Sequence, residues 1–149
     1  MGYTQRWTEQ NAVVANIDPD AYSANTYTSG YVDMKNFRRV VFIVQAGTLG
    51  TNATVDFTVK GDTASGGSYT TTITGKAITQ LTEAGTDSDK QAIVEVTAEE
   101  VFAQGFRYIR GALVIGTATS DAGMIAIASE PRYFPASDYD ASSVDEIVA

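Results

Sequence analysis

Three pairs of aspartates set two residues apart, Asp18 with Asp20, Asp87 with Asp89 and Asp138 with Asp140, are the first candidates for chemistry in this chain. Carboxylates at that spacing supply oxygen ligands in calcium loops. None of the three is followed by the glycine and distal glutamate of an EF-hand loop, so no metal site is expected. Paired carboxylates also flank the scissile bond in glycoside hydrolysis. With 18 acidic residues in 149, some pair always falls at a usable separation, and spacing singles none out. The chain has no histidine and no cysteine. That removes the side chain that titrates near neutrality and the thiolate that acts as nucleophile or soft metal ligand. A Ser-His-Asp arrangement is therefore impossible, and the sequence contains no GxSxG, SxxK, GxGxxG or GxxxxGK motif. The chain reads as a non-enzyme with no catalytic residues, no cofactor and no metal.

What remains is a set of side chains suited to contact. The net charge of −8 opposes a phosphate-binding surface, which needs lysine and arginine, so no nucleic-acid partner is expected. No apolar run is long enough for a membrane span, and no leader pattern opens the chain, so synthesis in the cytoplasm and no membrane partner are expected. The few basic residues bunch as Lys35, Arg38 and Arg39, with Arg107 and Arg110 further on. They are either ordinary solvated charges or a positive patch for acidic arms of a neighbouring copy or an acidic shell. Trp7 stands alone in a polar stretch, as a packing anchor onto its own domain or a neighbour.

The elements that must position these residues are strands. Nineteen threonines and repeated period-two alternation suit pleated, half-buried surfaces. The fold class expected is all-β and mainly antiparallel, a β-sandwich or β-barrel of about seven or eight strands with one short helix and extended N- and C-terminal arms. Residues 1–11 read as the N-terminal arm, 12–129 as the β domain and 130–149 as an acidic C-terminal arm. Ala12 to Ile17 is a strand expected to stop at Asp18-Pro19-Asp20. Thr26 to Met34 is an irregular edge strand with a bulge at Gly30. Arg38 to Ala46, with aliphatic residues at both parities, is expected to be a central strand buried on both faces.

Ala53 to Lys60 alternates cleanly, Val55, Phe57 and Val59 inward, and the glycine-rich turn before it suggests a hairpin with the preceding strand. Tyr69 to Thr74 is a threonine-rich edge strand open to intersubunit contact or to water. Gln91 to Val96 alternates again, with Ile93 expected to be buried. Thr97-Ala98-Glu99-Glu100 then forms a capping box for a helix over Ala98 to Ala103, ended by Gly105. Phe106 to Ile115 and Met124 to Ala128 are the last core strands, their small residues implying close sheet packing. Beyond Glu130, Tyr133, Phe134, Tyr139, Ile147 and Val148 sit on an acidic tether, as in a segment that orders on a partner or a frayed tail.

From Ser29 to Glu130, the segments SGYVDMKNFRRVVFIVQAGTLG, ATVDFTVKGDT, GKAITQLTEAGTDSDKQAIVEV and GFRYIRGALVIGTA, in that order, resemble tailed-bacteriophage head decoration, or cement, proteins. The resemblance covers about two-thirds of the chain. It implies a β-rich virion protein that assembles, commonly as a homotrimer, on the capsid exterior and clamps neighbouring units of the major capsid protein. It carries over no residue-level motif. On the residues themselves, the partner contacts expected are Trp7, Lys35, Arg38, Arg39, Tyr133, Phe134 and Tyr139. The alternatives are a receptor- or carbohydrate-binding β module of a head or tail fibre, using Tyr22, Tyr27 and Tyr69, and a tail-completion or tube protein.

Overall fold

Period-two alternation gives each strand one apolar face, and here two such faces close on each other. The computed structural model describes residues 4–149. Residues 1–3 of the expected N-terminal arm, Tyr3 among them, lie outside the described residues. One sheet has four strands in the order β1 (Asn11–Tyr22), β10 (Ser120–Pro131), β4 (Phe37–Ala46), β8 (Gln91–Thr97). The other has the order β2 (Asn25–Thr28), β9 (Tyr108–Gly116), β5 (Thr54–Asp62), β6 (Thr71–Ala77). Two-residue strands β3 (Val32–Asp33) and β7 (Leu81–Thr82) add to β9 and β5. All pairings are antiparallel.

Setting β3 and β7 aside, the eight remaining strands, renumbered in chain order, run 1-8-3-6 in one sheet and 2-7-4-5 in the other. That is the winding of a jelly roll. The fold is therefore the expected all-β sandwich, with two separate sheets rather than a closed barrel.

The core lies between the sheets. Val55, Phe57 and Val59 of β5 face Val40, Phe42 and Val44 of β4, all fully buried. The Phe42 and Phe57 rings, 5.7 Å apart between centroids, link the two layers. Small residues let the layers approach: Ala122, Ala126 and Ala128 line the inner face of β10. At Gly111 a Cβ would stand 2.7 Å from Phe57 Cζ, so no larger residue fits there without moving the ring.

Three expectations need correction. β1 does not stop at Pro19 but runs through it to Tyr22. It is an edge strand, and its register slips between Ile17 and Asp20, so the proline's missing N–H costs no ladder bond at that bulge. β4 and β5 do not form a hairpin, because the chain crosses between sheets there. The loop pairs instead with the β9–β10 connection, Gly47 N–H donating to Asp121 C=O at 2.7 Å and Asp121 N–H to Thr48 C=O at 3.0 Å. Alternation told faces apart but carried no information on pairing. The single expected helix, α2 (Ala98–Ala103), is joined by a one-turn helix α1 (Trp7–Gln10) and a 3₁₀ turn (Ala136–Tyr139).

α2 is capped as its sequence demands. Thr97 N–H donates to Glu100 Oε2 at 2.9 Å, and Glu100 N–H to Thr97 Oγ1 at 3.4 Å. Gly105, at φ +81°, turns the chain out of the helix. Thr97→Ala is expected to cost about 1 kcal/mol by urea denaturation, and Thr97→Ser to retain most of it.

The sandwich edges are guarded. Lys76 of β6 reaches across to β8, its Nζ donating to Glu95 C=O at 2.7 Å and pairing with Glu100 at 2.8 Å. The Gln104 side chain accepts from Thr74 N–H at 3.0 Å. Both bonds occupy edge groups that a foreign strand would otherwise pair.

Candidate interaction surface

From Arg39 to Gln45 the odd-numbered residues of β4 point away from the core. Ile43 stands opposite Ile125 of β10 on one side and Ile93 of β8 on the other; Val41 stands opposite Ile127 and Glu95. On β1, Asn16 faces Ile125 and Val13 faces Ile127. Two rows thus cross the outer face of the four-stranded sheet: Asn16, Ile125, Ile43, Ile93 and Val13, Ile127, Val41, Glu95. Ile93 is 68% exposed, and Val41 and Ile43 are only half-buried. This corrects the expectations that β4 is buried on both faces and that Ile93 is buried: no second layer covers this face, and the inward parity of β8 is that of Val94 and Val96. This partly exposed aliphatic face is the candidate interaction surface.

The chain's own C-terminal segment frames that face. At one end the 3₁₀ turn covers Phe37, with the Tyr139 ring 5.2 Å away edge-on and Ala136 fully buried. Along β1, Val13 N–H donates to Asp140 Oδ1 at 2.7 Å, Ala141 N–H donates to Val13 C=O at 2.7 Å, and Ser143 Oγ donates to Asn16 Oδ1 at 3.0 Å. Between segment and sheet lies a cleft of about 420 Å³ bordered by Asn16, Gln45, Ile125, Ser143 and Val144. The first half of the C-terminal segment therefore folds back on the sandwich, while Val148 stands 87% exposed beyond it.

The expected contact residues separate into three groups. Trp7, Tyr133 and Phe134 are all more than half exposed. α1 packs against the 3₁₀ turn, and Gln10 of α1 shares a cleft with Pro131 and Phe134, so these aromatics occupy one corner of the sandwich. Lys35, Arg38 and Arg132 border the adjoining cleft. Arg38 pairs with Glu99 at 3.1 Å and Glu130 at 3.5 Å, and Arg39 with Glu95 at 3.3 Å and Glu130 at 3.5 Å. The two arginines are thus neutralised within the chain, and exposed pairs of this kind add little stability. Tyr139 is turned inward onto Phe37 and holds the C-terminal segment in place.

The tyrosines considered for glycan binding form no common platform. Tyr22 and Tyr27 pack on each other at 4.2 Å between centroids, and Tyr69 is only 4% exposed. Burial pushes the Tyr69 hydroxyl up to about 12 against the lowering pull of Arg110, so it stays protonated and donates to Ser65 C=O at 3.0 Å.

Carboxylates serve structure. Asp87 accepts from Thr82 N–H at 2.9 Å and Asp140 from Val13 N–H, which are turn and tether bonds. Among the described residues no group of three or more acidic side chains comes together to hold a metal ion. Arg107 makes a fork to Asp33, Nε and NH2 at 2.9 and 2.6 Å. Burial raises the Asp33 carboxyl, but the Arg107 hydrogen bond and charge, with Lys35 N–H, outweigh it and hold the carboxyl below its ordinary range. A lowered folded value stabilises above the unfolded one, near about pH 4, and the stabilisation disappears as pH falls through the folded value. Asp33→Asn is expected to lower stability at pH 7 and to flatten its decline between about pH 5 and pH 2, read by denaturant titration at each pH.

The outward aliphatics were missed from sequence. A run with apolar residues at both parities reads as doubly buried, and the usable signal was that its neighbours on β8 and β10 also place isoleucine at the outward parity.

No protein-family description matches the sequence, and no curated protein matches it. Among solved structures, that of infectious bursal disease virus Gx strain is similar over 87% of this chain and 36% of that one, at 13% identity and TM-score 0.46. This chain therefore spans about a third of that protein's length. Broad bean stain virus is similar over 90% of both chains, at 9% identity and TM-score 0.42. A Bacillus endospore appendage pilin is similar over 85% of this chain and 94% of its own, at 12% identity and TM-score 0.36. Scores this low leave function to be argued from the surface itself.

Proposed function

We propose that this protein is a structural virion component of a tailed phage, which seats on the capsid exterior and bridges neighbouring capsomers as a decoration protein. Its function is contact, not catalysis. The observation that carries the reading is the bare aliphatic face of the four-stranded sheet, framed by the folded-back C-terminal segment and adjoining the Trp7, Tyr133 and Phe134 corner. The segment-by-segment resemblance supports it, and so, as fold-level analogy alone, does a jelly-roll winding, which hosts viral coat and lectin domains among others.

Magnitudes decide how such a surface would work. The six aliphatics of the two rows, Ile93 largely exposed and the others partly so, give at most roughly 5 kcal/mol of gross burial energy. That only matches the low end of the association cost, about 4 kcal/mol or more. The aromatics Trp7, Tyr133 and Phe134, a little more than half exposed, add burial of about 90–150 Å² each. One copy therefore binds weakly, and firm attachment comes from copies joined to each other, commonly as a homotrimer, engaging a repeating lattice together.

The test is the copy number relative to the major capsid protein in purified particles. A ratio set by the shell lattice is expected. A handful of copies per particle would shift the protein to the tail or portal vertex, and absence from particles would end the virion reading. The glycan-binding alternative finds no tyrosine platform, with Tyr22 and Tyr27 packed on each other and Tyr69 buried.

A further inference from the structure

On the outer face of the six-stranded sheet, Lys60 of β5 stands directly opposite Arg110 of β9. Like charges directly opposite across a strand pair are destabilising. Neither makes an ion pair among the described residues: Lys60 Nζ bonds Thr72 Oγ1 at 2.8 Å, and Arg110 Nε is buried without a hydrogen-bond partner. The neighbouring Asp62 makes no salt bridge to either among the described residues; its oxygens accept from Ala64 N–H at 3.1 Å and Tyr69 N–H at 3.0 Å. Those bonds hold Tyr69 at φ +49°, a left-handed conformation costly for a bulky residue, with its ring 4.1 Å from the Arg110 guanidinium. The loop thus keeps the Tyr69 ring against an arginine that stands beside a second cation. Tyr108 and the half-exposed Tyr31, edge-on at 5.6 Å, adjoin on the same side.

The chain carries a segment of matching character. Residues 133–149 contain Asp138, Asp140, Asp145 and Glu146 and no lysine or arginine, and Asp145 to Val148 are exposed. We propose that the Lys60–Arg110 site receives the acidic segment around Asp145 and Glu146 of a second copy, with Ile147 and Val148 against the tyrosines.

The geometry disfavours docking onto the same copy. The segment is pinned to Val13 and then Asn16 of β1, on the outer face of the opposite sheet. It runs from the Pro131 end of β10 toward the Gly123 end. The cation site lies at the Pro131 end, because Met34 N–H bonds Arg107 C=O and Arg132 N–H bonds Asn36 C=O there. The segment therefore points away from its own site. A donor on one sheet and an acceptor on the other make a heterologous contact, which closes into a ring when the rotation permits. The inference rests on the reading above only for its self-association.

The test is mass in solution by sedimentation velocity on the full chain and two variants, K60E/R110E and D145K/E146K, each checked for folding by thermal melt. Wild type is expected to self-associate, and each variant to do so at least about tenfold more weakly. An equimolar mixture should regain a heterodimer, since each variant retains what the other lacks. A monomeric wild type, unchanged association in both variants, or a mixture no stronger than either alone would overturn the proposal. Should K60E/R110E not fold, the exposed-segment variant D145K/E146K decides alone. Capsid binding by wild type, measured in parallel, tests the virion reading independently, whatever the masses show.

Discussion

Replacing Ile43 by aspartate is expected to leave the sandwich folded and, on the proposed function, to release the protein from the shell. Ile43 sits mid-row between Ile125 and Ile93 on the uncovered face, and its side chain takes no part in the inter-sheet core. A carboxylate there must be desolvated without a partner when the face is covered, on top of the lost aliphatic contact. For a central contact the loss is about 2 kcal/mol or more, roughly thirtyfold per copy, and multivalent attachment compounds it. Co-sedimentation with shells stripped of the protein reads the effect. Thr26→Asp on the outer face of the other sheet is the matched control, and equal retention of both variants would show that the aliphatic face does not meet the shell. The same assay with Trp7→Ala, Tyr133→Ala and Phe134→Ala tests the corner. Point changes serve better than deleting residues 130–149, because Tyr139 and Asp140 hold β1 and Phe37 in place.

The largest effect on stability is expected from Phe57→Ala. Its ring is fully buried, meets Phe42 across the sheets and closes against Gly111. Removing a buried phenylalanine costs about 3–5 kcal/mol, because the surrounding strands cannot collapse into the space. For a domain of this size that is a fall of roughly 6–20 °C in Tm. Phe102→Ala, at a half-exposed position on α2, should change stability by less than about 0.5 kcal/mol. A loss below about 1 kcal/mol at Phe57 would mean that the two layers are not joined through this pair.

These two residues also mark how far the sequence could be read. Phe57 was legible because Val55 and Val59 flank it at period two with polar residues between, and the α2 capping box was legible because its partners are three residues apart. Ile43 was misread because its strand is apolar at both parities, and only the register with β8 and β10 tells which parity faces water. Pro19 was read as a stop because its tolerance depends on an edge position and a bulge, both set by β10 more than a hundred residues on. The contact of Tyr69 with Arg110 had no sequence signal at all, since it arises from the closure of the β5–β6 loop against β9, five elements later in the chain. Arg38 and Arg39 stood out as basic residues, but their partners Glu95, Glu99 and Glu130 come from other strands and a helix, so the neutralisation became visible only in three dimensions.

The bond from Lys76 to the Glu95 carbonyl has a consequence that a melting curve would not reveal. At high concentration, as in the array of the proposed function, the protein would meet its own strand edges, and an open β8 edge would template end-to-end fibre growth. With one ammonium group on that carbonyl, the edge presents a charge in place of an acceptor. Loss of Lys76 would therefore show itself in shelf life, as a shortened lag before turbidity in concentrated stocks, while the folded state and its Tm stayed nearly unchanged.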